Sequence, residues 1–291
     1  MGLANHHPDW FSAAASILDN QAMTSSMTFL SPAFPKPDHS HPNTEKLEVC
    51  YEKSVVAFID ALGFTSQVKQ GNLEAINQII NLLNSAIPRS NLLQATTLGL
   101  FRAQNHPEIF PRYLQVSDSL ILSQRLEQPE HKDIDGFQDV VTRIIQCSLV
   151  FLNHGFLLRG GLEIGDVWHT KTNIVGPAFI DAYELESKEA IFPRVILGKE
   201  ATKYWIDIAS GTMNRMVIEY QGHWTVNTFT PSLFFAPNES PKKLSSWYSR
   251  LQSKMEQQVN NTHLEPKQRE KWHWLLGFLK QAAALENCKL D

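Results

Sequence analysis

Ser54-Val55-Val56-Ala57-Phe58-Ile59-Asp60-Ala61-Leu62-Gly63-Phe64-Thr65 is the stretch that most restricts what this chain can become. Five consecutive apolar residues, Val55 to Ile59, have the length and composition of a central strand buried on both faces. Such a strand holds the carboxylate of Asp60 rigidly at its tip, and a short glycine-containing turn then leads toward a helix. Free N–H groups at a turn and helix start can face phosphate oxygens. The segment is therefore consistent with a metal-and-phosphate site. A buried strand ending in an aspartate that merely caps its turn fits it equally well.

The rest of the chain has to separate those readings. Its 291 residues suit one large domain or a domain with an appendage, and 43% hydrophobic with 19% charged residues is ordinary for a globular protein. A net charge of -4 without any Lys/Arg-rich run argues against nucleic-acid polymers and membrane surfaces as partners. A single nucleotide held by local charge and a metal remains compatible. Cys50, Cys147 and Cys288 are too widely spaced for a metal site or disulfide framework, and Cys147 sits in an apolar run as a core residue. Residues 1–19 lack a basic start followed by a long apolar stretch, and no run approaches membrane-span length, so a cytoplasmic location is expected.

Residues 1–46, rich in Ser, Pro, His, Asn and Thr, are expected to form a flexible N-terminal arm docking through Trp10, Phe11 and Ile17. His6, His7, His39 and His41 read there as solvated, with no carboxylate or cysteine framework around them. Beyond the first strand, Leu73, Ile76, Ile79, Ile80, Leu83 and Ile87 recur at helical spacing until Pro88. Arg112 to Ser123 alternates on either side of Ser117-Asp118-Ser119, which predicts a tight hairpin. Phe137, Val140, Val141, Ile144, Ile145, Cys147, Leu149 and Leu152 mark a second amphipathic helix, and Phe156 to Ile164 another strand. Strand, helix, hairpin, helix, strand is the α+β, ferredoxin-like βαββαβ plan, in which the first strand and the hairpin are sheet neighbours. Asp60 and Asp118, 58 positions apart, then fall at adjacent tips. Two such carboxylates suit Mg²⁺ or Mn²⁺, hard ions that prefer oxygen ligands. The plainer use of Asp118 is as a hairpin-turn residue.

Further on, Ile174-Val175-Gly176-Pro177 opens a helix through Glu189, and Val195–Leu197, Met216–Tyr220 and His223–Phe229 read as strands. A catalytic domain over 47–240 and a helical C-terminal extension over 241–291 follow, the latter carrying a stripe of Trp272, Leu275, Leu276, Leu279 and Ala283. His169, beside Trp168, reads as structural.

Together these segments resemble class III nucleotidyl cyclases. Phe58-Ile59-Asp60-Ala61-Leu62-Gly63-Phe64-Thr65 looks like the family's first metal motif. Val116-Ser117-Asp118-Ser119 looks like the second, which usually has Gly in place of Ser117. Arg159-Gly160-Gly161-Leu162-Glu163-Ile164-Gly165 resembles the family's glycine-bearing strand, and Gly176 to Ser187 its dimer-interface helix. The Gly-Pro-Ala…Ala-Tyr-Glu-Leu-Glu-Ser form is similar to Pycsar pyrimidine cyclases, bacterial antiphage enzymes that make cyclic UMP or cyclic CMP as second messengers.

The resemblance implies a homodimer with interfacial active sites acting on UTP or CTP. It implies two Mn²⁺ or Mg²⁺ ions on Asp60, Asp118 and the Ala61 carbonyl, and a nucleotide contacted by Phe58, Leu62, Gly63, Phe64, Thr65, Arg112 and Tyr113. Tyr183 is a second candidate for stacking on the base. Purine cyclases carry a transition-state Asn and Arg where Ile180 and Glu184 stand, and a base-reading Lys where Leu114 stands. They carry a phosphate-binding Arg where Asp166 stands. The implied reading is therefore a cyclase with a different base pocket, or a domain that binds nucleotide without catalysis. Arg112, Arg159, Lys188 and Lys199 are candidate positive charges.

Overall fold

The computed structural model describes residues 48–86, 112–127, 135–209, 215–235 and 239–290. The expected N-terminal arm and its histidines lie outside them. The first strand, β1 (Glu52–Ala61), runs two residues past the apolar stretch Val55–Ile59 at its far end. Val55, Val56 and Ala57 are fully buried within it. Two helices follow, α1 (Phe64–Gln70) and α2 (Leu73–Ala86), then the hairpin β2 (Arg112–Val116) and β3 (Ser119–Arg125). Helix α3 (Gly136–Asn153) begins at Asp135, whose side chain accepts the Phe137 N–H at 2.9 Å. It leads to β4 (Leu158–His169), which is longer than the apolar run Phe156–Ile164 suggests because its last residues pair with the short β5 (Ile174–Val175).

The sheet order is β2-β3-β1-β4, then β6 (Val195–Leu197), β8 (His223–Val226) and β7 (Val217–Tyr220). Only β4 and β6 run parallel. The first four strands with α2 and α3 reproduce the expected βαββαβ core of an α+β fold.

Alternation along β1 assigns the two sheet faces. Ala57, Ile59 and Ala61 point into the main core against α2, α3 and α5 (Lys199–Ile208). Val56 and Phe58 point to the other face, where they meet Ala178, Phe179 and Ala182 of α4 (Pro177–Glu184). Asp60, two residues on from Phe58, shares that second face.

Helix α4 lies close to the sheet because β4 is bare beneath it: a Cβ at Gly161 would overlap the Ala182 carbonyl and the Leu185 Cβ. The expected helix to Glu189 is α-helical only to Glu184. Leu185–Glu189 forms one wide π-type turn, closed by Ala190 N–H donating to the Leu185 carbonyl. Helix α5, which follows β6, was not legible from periodicity, and its N-terminus is capped from β4: Glu163 accepts the Ala201 N–H at 2.8 Å.

The C-terminal helices α6 (Pro241–Val259) and α7 (Pro266–Leu285) pack on each other and on the β7–β8 end. Tyr248 Oη donates to the Phe229 carbonyl at 2.9 Å, and Trp274 lies flat against Phe192 at 5.3 Å and edge-on to Tyr220 at 5.2 Å. Among the described residues, no helix is long and apolar enough to cross a membrane.

Candidate active site

The strand registers bring Asp60 and Asp118 together. Asp60 is paired with Ser119 across β1–β3, so Asp118, one residue back in the hairpin turn, lies beside the tip of β1. The Ala61 N–H donates to the Asp118 carbonyl at 3.2 Å, which ties the turn to that tip. The turn itself is two residues, Ser117 and Asp118, between the paired Val116 and Ser119. Ser117 has φ +56°, a left-handed conformation that glycine adopts without a Cβ penalty.

Asp60 is held on both sides by side chains from its strand neighbours. Ser119 Oγ donates to Asp60 Oδ1 at 3.0 Å, and Arg159 Nη2 lies 3.8 Å from Asp60 Oδ2. Ser119, Asp60 and Arg159 form one transverse row across β3, β1 and β4. Arg159 Nε in turn meets Glu186 Oε1 at 2.6 Å, an ion contact whose N–H is not aligned as a hydrogen bond. Glu186 stands on the π-type turn and is only 4% exposed.

Three carboxylates and one guanidinium therefore share this corner. Burial pushes the Asp60 carboxyl up to about 7, and the negative charges of Asp118 and Glu186 add to the rise; the Ser119 hydroxyl and Arg159 oppose it. A cation placed between such carboxylates would offset both the cost of burying the Asp60 charge and the repulsion from its neighbours. Among the described residues, no group of three or more His, Cys, Asp and Glu side chains is arranged to ligate a metal. The carboxylate pair fits an ion such as Mg²⁺, which binds through one or two carboxylates and completes its shell with waters and substrate phosphates.

The turn after Asp60 has the expected form. Gly63, at φ +91°, precedes α1, and Ser66 and Gln67 N–H groups both donate to its carbonyl. The amides of Phe64 and Thr65 precede these first helical bonds. Leu62 is half-buried, Gly63 and Thr65 are exposed, and Phe64 anchors the turn in the core.

Three residues expected to contact a nucleotide have other surroundings in the fold. Phe58 is a packing residue, 5.3 Å from the Tyr183 ring and 6.1 Å from that of Phe179, because alternation aims it under α4. Arg112 is at the open end of the hairpin, paired with Glu52 at 3.2 Å and donating to the His169 carbonyl at 3.0 Å. Tyr113 is opposite the core residue Leu122 and so faces away from Asp60. Lys188 is engaged by Glu184 at 2.9 Å. His169 is structural, as expected: it is buried, and Nδ1 lies 2.6 Å from Ser123 Oγ.

Sequence reasoning had Arg159 only as one of four cations and missed Glu186. The available signal was register: Arg159 opens the strand that must pair with β1. Lys271 of α7 was also missed; burial and then the like charge of Arg159 hold its amine below the usual lysine range.

No family model matches the sequence, and no curated protein matches it. Solved structures do resemble the fold. The adenylyl cyclase CyaB of P. aeruginosa aligns at TM-score 0.38 and 14% identity over 62% of this chain and 94% of that one. The guanylyl cyclase domain of the RhoGC fusion protein from the aquatic fungus Blastocladiella emersonii aligns at TM-score 0.41 and 12% identity, over 62% of this chain and 98% of that one. A bacterial light-regulated adenylyl cyclase aligns at TM-score 0.39 and 11% identity over 71% of this chain and 58% of that one.

Proposed function

We propose that this chain is a class III nucleotidyl cyclase acting on a pyrimidine nucleoside triphosphate, UTP first and CTP next. The products are the 3′,5′-cyclic monophosphate and pyrophosphate. The observation that carries the reading is the pairing of Asp60 with Asp118 at one sheet tip, where burial and neighbouring carboxylates disfavour the Asp60 anion and a divalent cation would offset that cost. Asp60, Asp118 and the Ala61 carbonyl would hold two Mn²⁺ or Mg²⁺ ions. Bound there, such ions acidify the ribose 3′-hydroxyl and neutralise charge on the triphosphate.

The chain's own part is orientation. Ser119 fixes one oxygen of Asp60, and the Ala61–Asp118 bond fixes the turn that carries the second carboxylate. The amides of Phe64 and Thr65 are presented to the β- and γ-phosphates by a turn that Gly63 makes possible. In-line attack on the α-phosphorus then needs no covalent enzyme intermediate.

Preference for a pyrimidine rests on what replaces the purine-cyclase residues. Leu114 packs in the apolar cluster with Phe58 and offers no hydrogen bond to a base. A homodimer is supported by the apolar residues left outside on the Asp60 face and on α4: Val116 is 55% exposed and Ile180 54%. A cyclic pyrimidine nucleotide made by such an enzyme would serve as a messenger, in antiphage defence if the Pycsar resemblance extends to biology.

Incubation of the purified protein with Mn²⁺ and each of UTP, CTP, ATP and GTP, with products separated, tests this directly. Cyclic UMP is expected; a cyclic purine, or pyrophosphate release with no cyclic pyrimidine, rejects the substrate assignment. A second reading is a nucleotide-binding module without catalysis. It is favoured by Ile180 in place of the transition-state Asn and by Glu184, which is bound to Lys188. NTP binding with no product under either metal would select it.

A further inference from the structure

The cation pair and the glycine turn leave Arg159 and Glu186 without a role. Arg159 is drawn toward two carboxylates at once. Asp60 keeps 20% of its side chain exposed and lies 3.8 Å away; Glu186 is buried and lies 2.6 Å away. The guanidinium is therefore committed to Glu186, with one more distant nitrogen turned toward Asp60.

The commitment has a physical cause. A buried carboxylate without a partner is strongly disfavoured, so Glu186 depends on Arg159 to remain charged. Its backbone is fixed by the π-type turn against the bare surface of Gly161. Glu186 cannot follow Arg159 outward, so Arg159 is held inward.

We propose that Glu186 is a positioning residue that draws the Arg159 guanidinium off Asp60 and so keeps the Asp60 carboxylate open to a divalent cation. The proposal rests on the reading of Asp60 and Asp118 as a cation-binding pair. Without Glu186, Arg159 and Asp60 face each other on neighbouring strands and can close into a two-pronged guanidinium–carboxylate pair. With Ser119 already donating to Oδ1, both oxygens of Asp60 would then be engaged by internal partners. A cation would then have to displace a strong internal partner.

The roles predict opposite signs for the two partners. In Glu186→Gln, Mn²⁺ binding weakens by roughly tenfold or more, and in Arg159→Gln it is unchanged or tighter. In the double variant it returns to within about threefold of wild type, because the competitor and its restraint are removed together. Binding is read on the full chain from the loss of the free aqua-Mn²⁺ electron paramagnetic resonance signal, which needs no turnover, with near-ultraviolet circular dichroism as the check on folding.

If Arg159→Gln weakens binding as much as Glu186→Gln and the double variant is weaker still, the pair is merely structural and the proposal is overturned. Wild-type affinity in Glu186→Gln overturns it as well. Asp60→Asn separates the two levels. Loss of binding there beside an unaffected Glu186→Gln rejects this inference and leaves the cation pair standing, whereas unchanged binding in Asp60→Asn rejects both. Should Glu186→Gln fail to fold, Glu186→Asp withdraws the carboxylate by one methylene and carries the same expected sign, with the same rescue by Arg159→Gln.

Discussion

Asp60 shows how one side chain can be legible in kind and illegible in state. That a carboxylate ends β1 follows from the sequence; that it is pushed up to about 7 follows from burial and from Asp118 and Glu186. Replacing Asp60 or Asp118 by Asn is expected to lower cyclase turnover by at least about a thousandfold with the fold retained, as read by product formation and circular dichroism. Ser117 gives a stability prediction at the same turn. Its φ of +56° strains a residue with a Cβ, so Ser117→Gly should raise the urea midpoint by the equivalent of about 1 kcal/mol. His169 gives a pH prediction. It is 3% exposed, and burial, then the charge of Arg112, lowers its pKa to about 4 from the ordinary 6.5. The folded state resists the proton that the unfolded chain accepts. Its contribution is therefore complete above pH 6.5 and is lost as pH falls toward 4, by about 3 kcal/mol from the shift of the two values. Urea unfolding at pH 7 and pH 5 should show a smaller difference in His169→Gln than in the wild type.

Among the elements, α4 and its π-type turn connect the site to the rest of the sheet. The helix start was readable from Gly176-Pro177, since proline suits a first turn. The change of winding at Leu185 was not, because it depends on how closely β4 approaches. Gly161 is the residue that permits the approach, and Gly161→Val should destabilise the protein by about 1–3 kcal/mol through overlap with Ala182 and Leu185. The same variant should weaken Mn²⁺ binding, since it displaces the turn that carries Glu186. An unchanged denaturation midpoint would show that α4 can move away freely. Helix α5 was missed for a related reason: its N-terminus is satisfied by Glu163 from β4, a cap with no local signature.

For the molecule as a whole, the open question of assembly has a direct measurement. Val116 and Ile180 are apolar, exposed and outside the protomer's own core, so charge there should leave the protomer folded. Ile180→Asp is expected to convert a dimer to a monomer in analytical ultracentrifugation and to remove cyclase activity. A dimer that survives the substitution would place the contact elsewhere. The C-terminal helices are joined to the central sheet by the Trp274, Tyr220, Phe278 and Phe229 rings and by the Tyr248–Phe229 hydrogen bond.

Local pattern was enough for the strand-to-turn stretch around Asp60, the hairpin around Asp118, the two core helices and the βαββαβ order, because period and turn chemistry act over a few residues. Tertiary structure was needed to show what Arg112, Tyr113 and Phe58 pack and pair with, and to bring Arg159 and Glu186 beside Asp60. Sheet face, strand register and burial make those assignments, and all three depend on residues distant in the chain. The Asp60–Asp118 pair was foreseeable from its motifs, whereas the guanidinium between Asp60 and Glu186 became visible only when β1, β4 and the π-type turn were in contact.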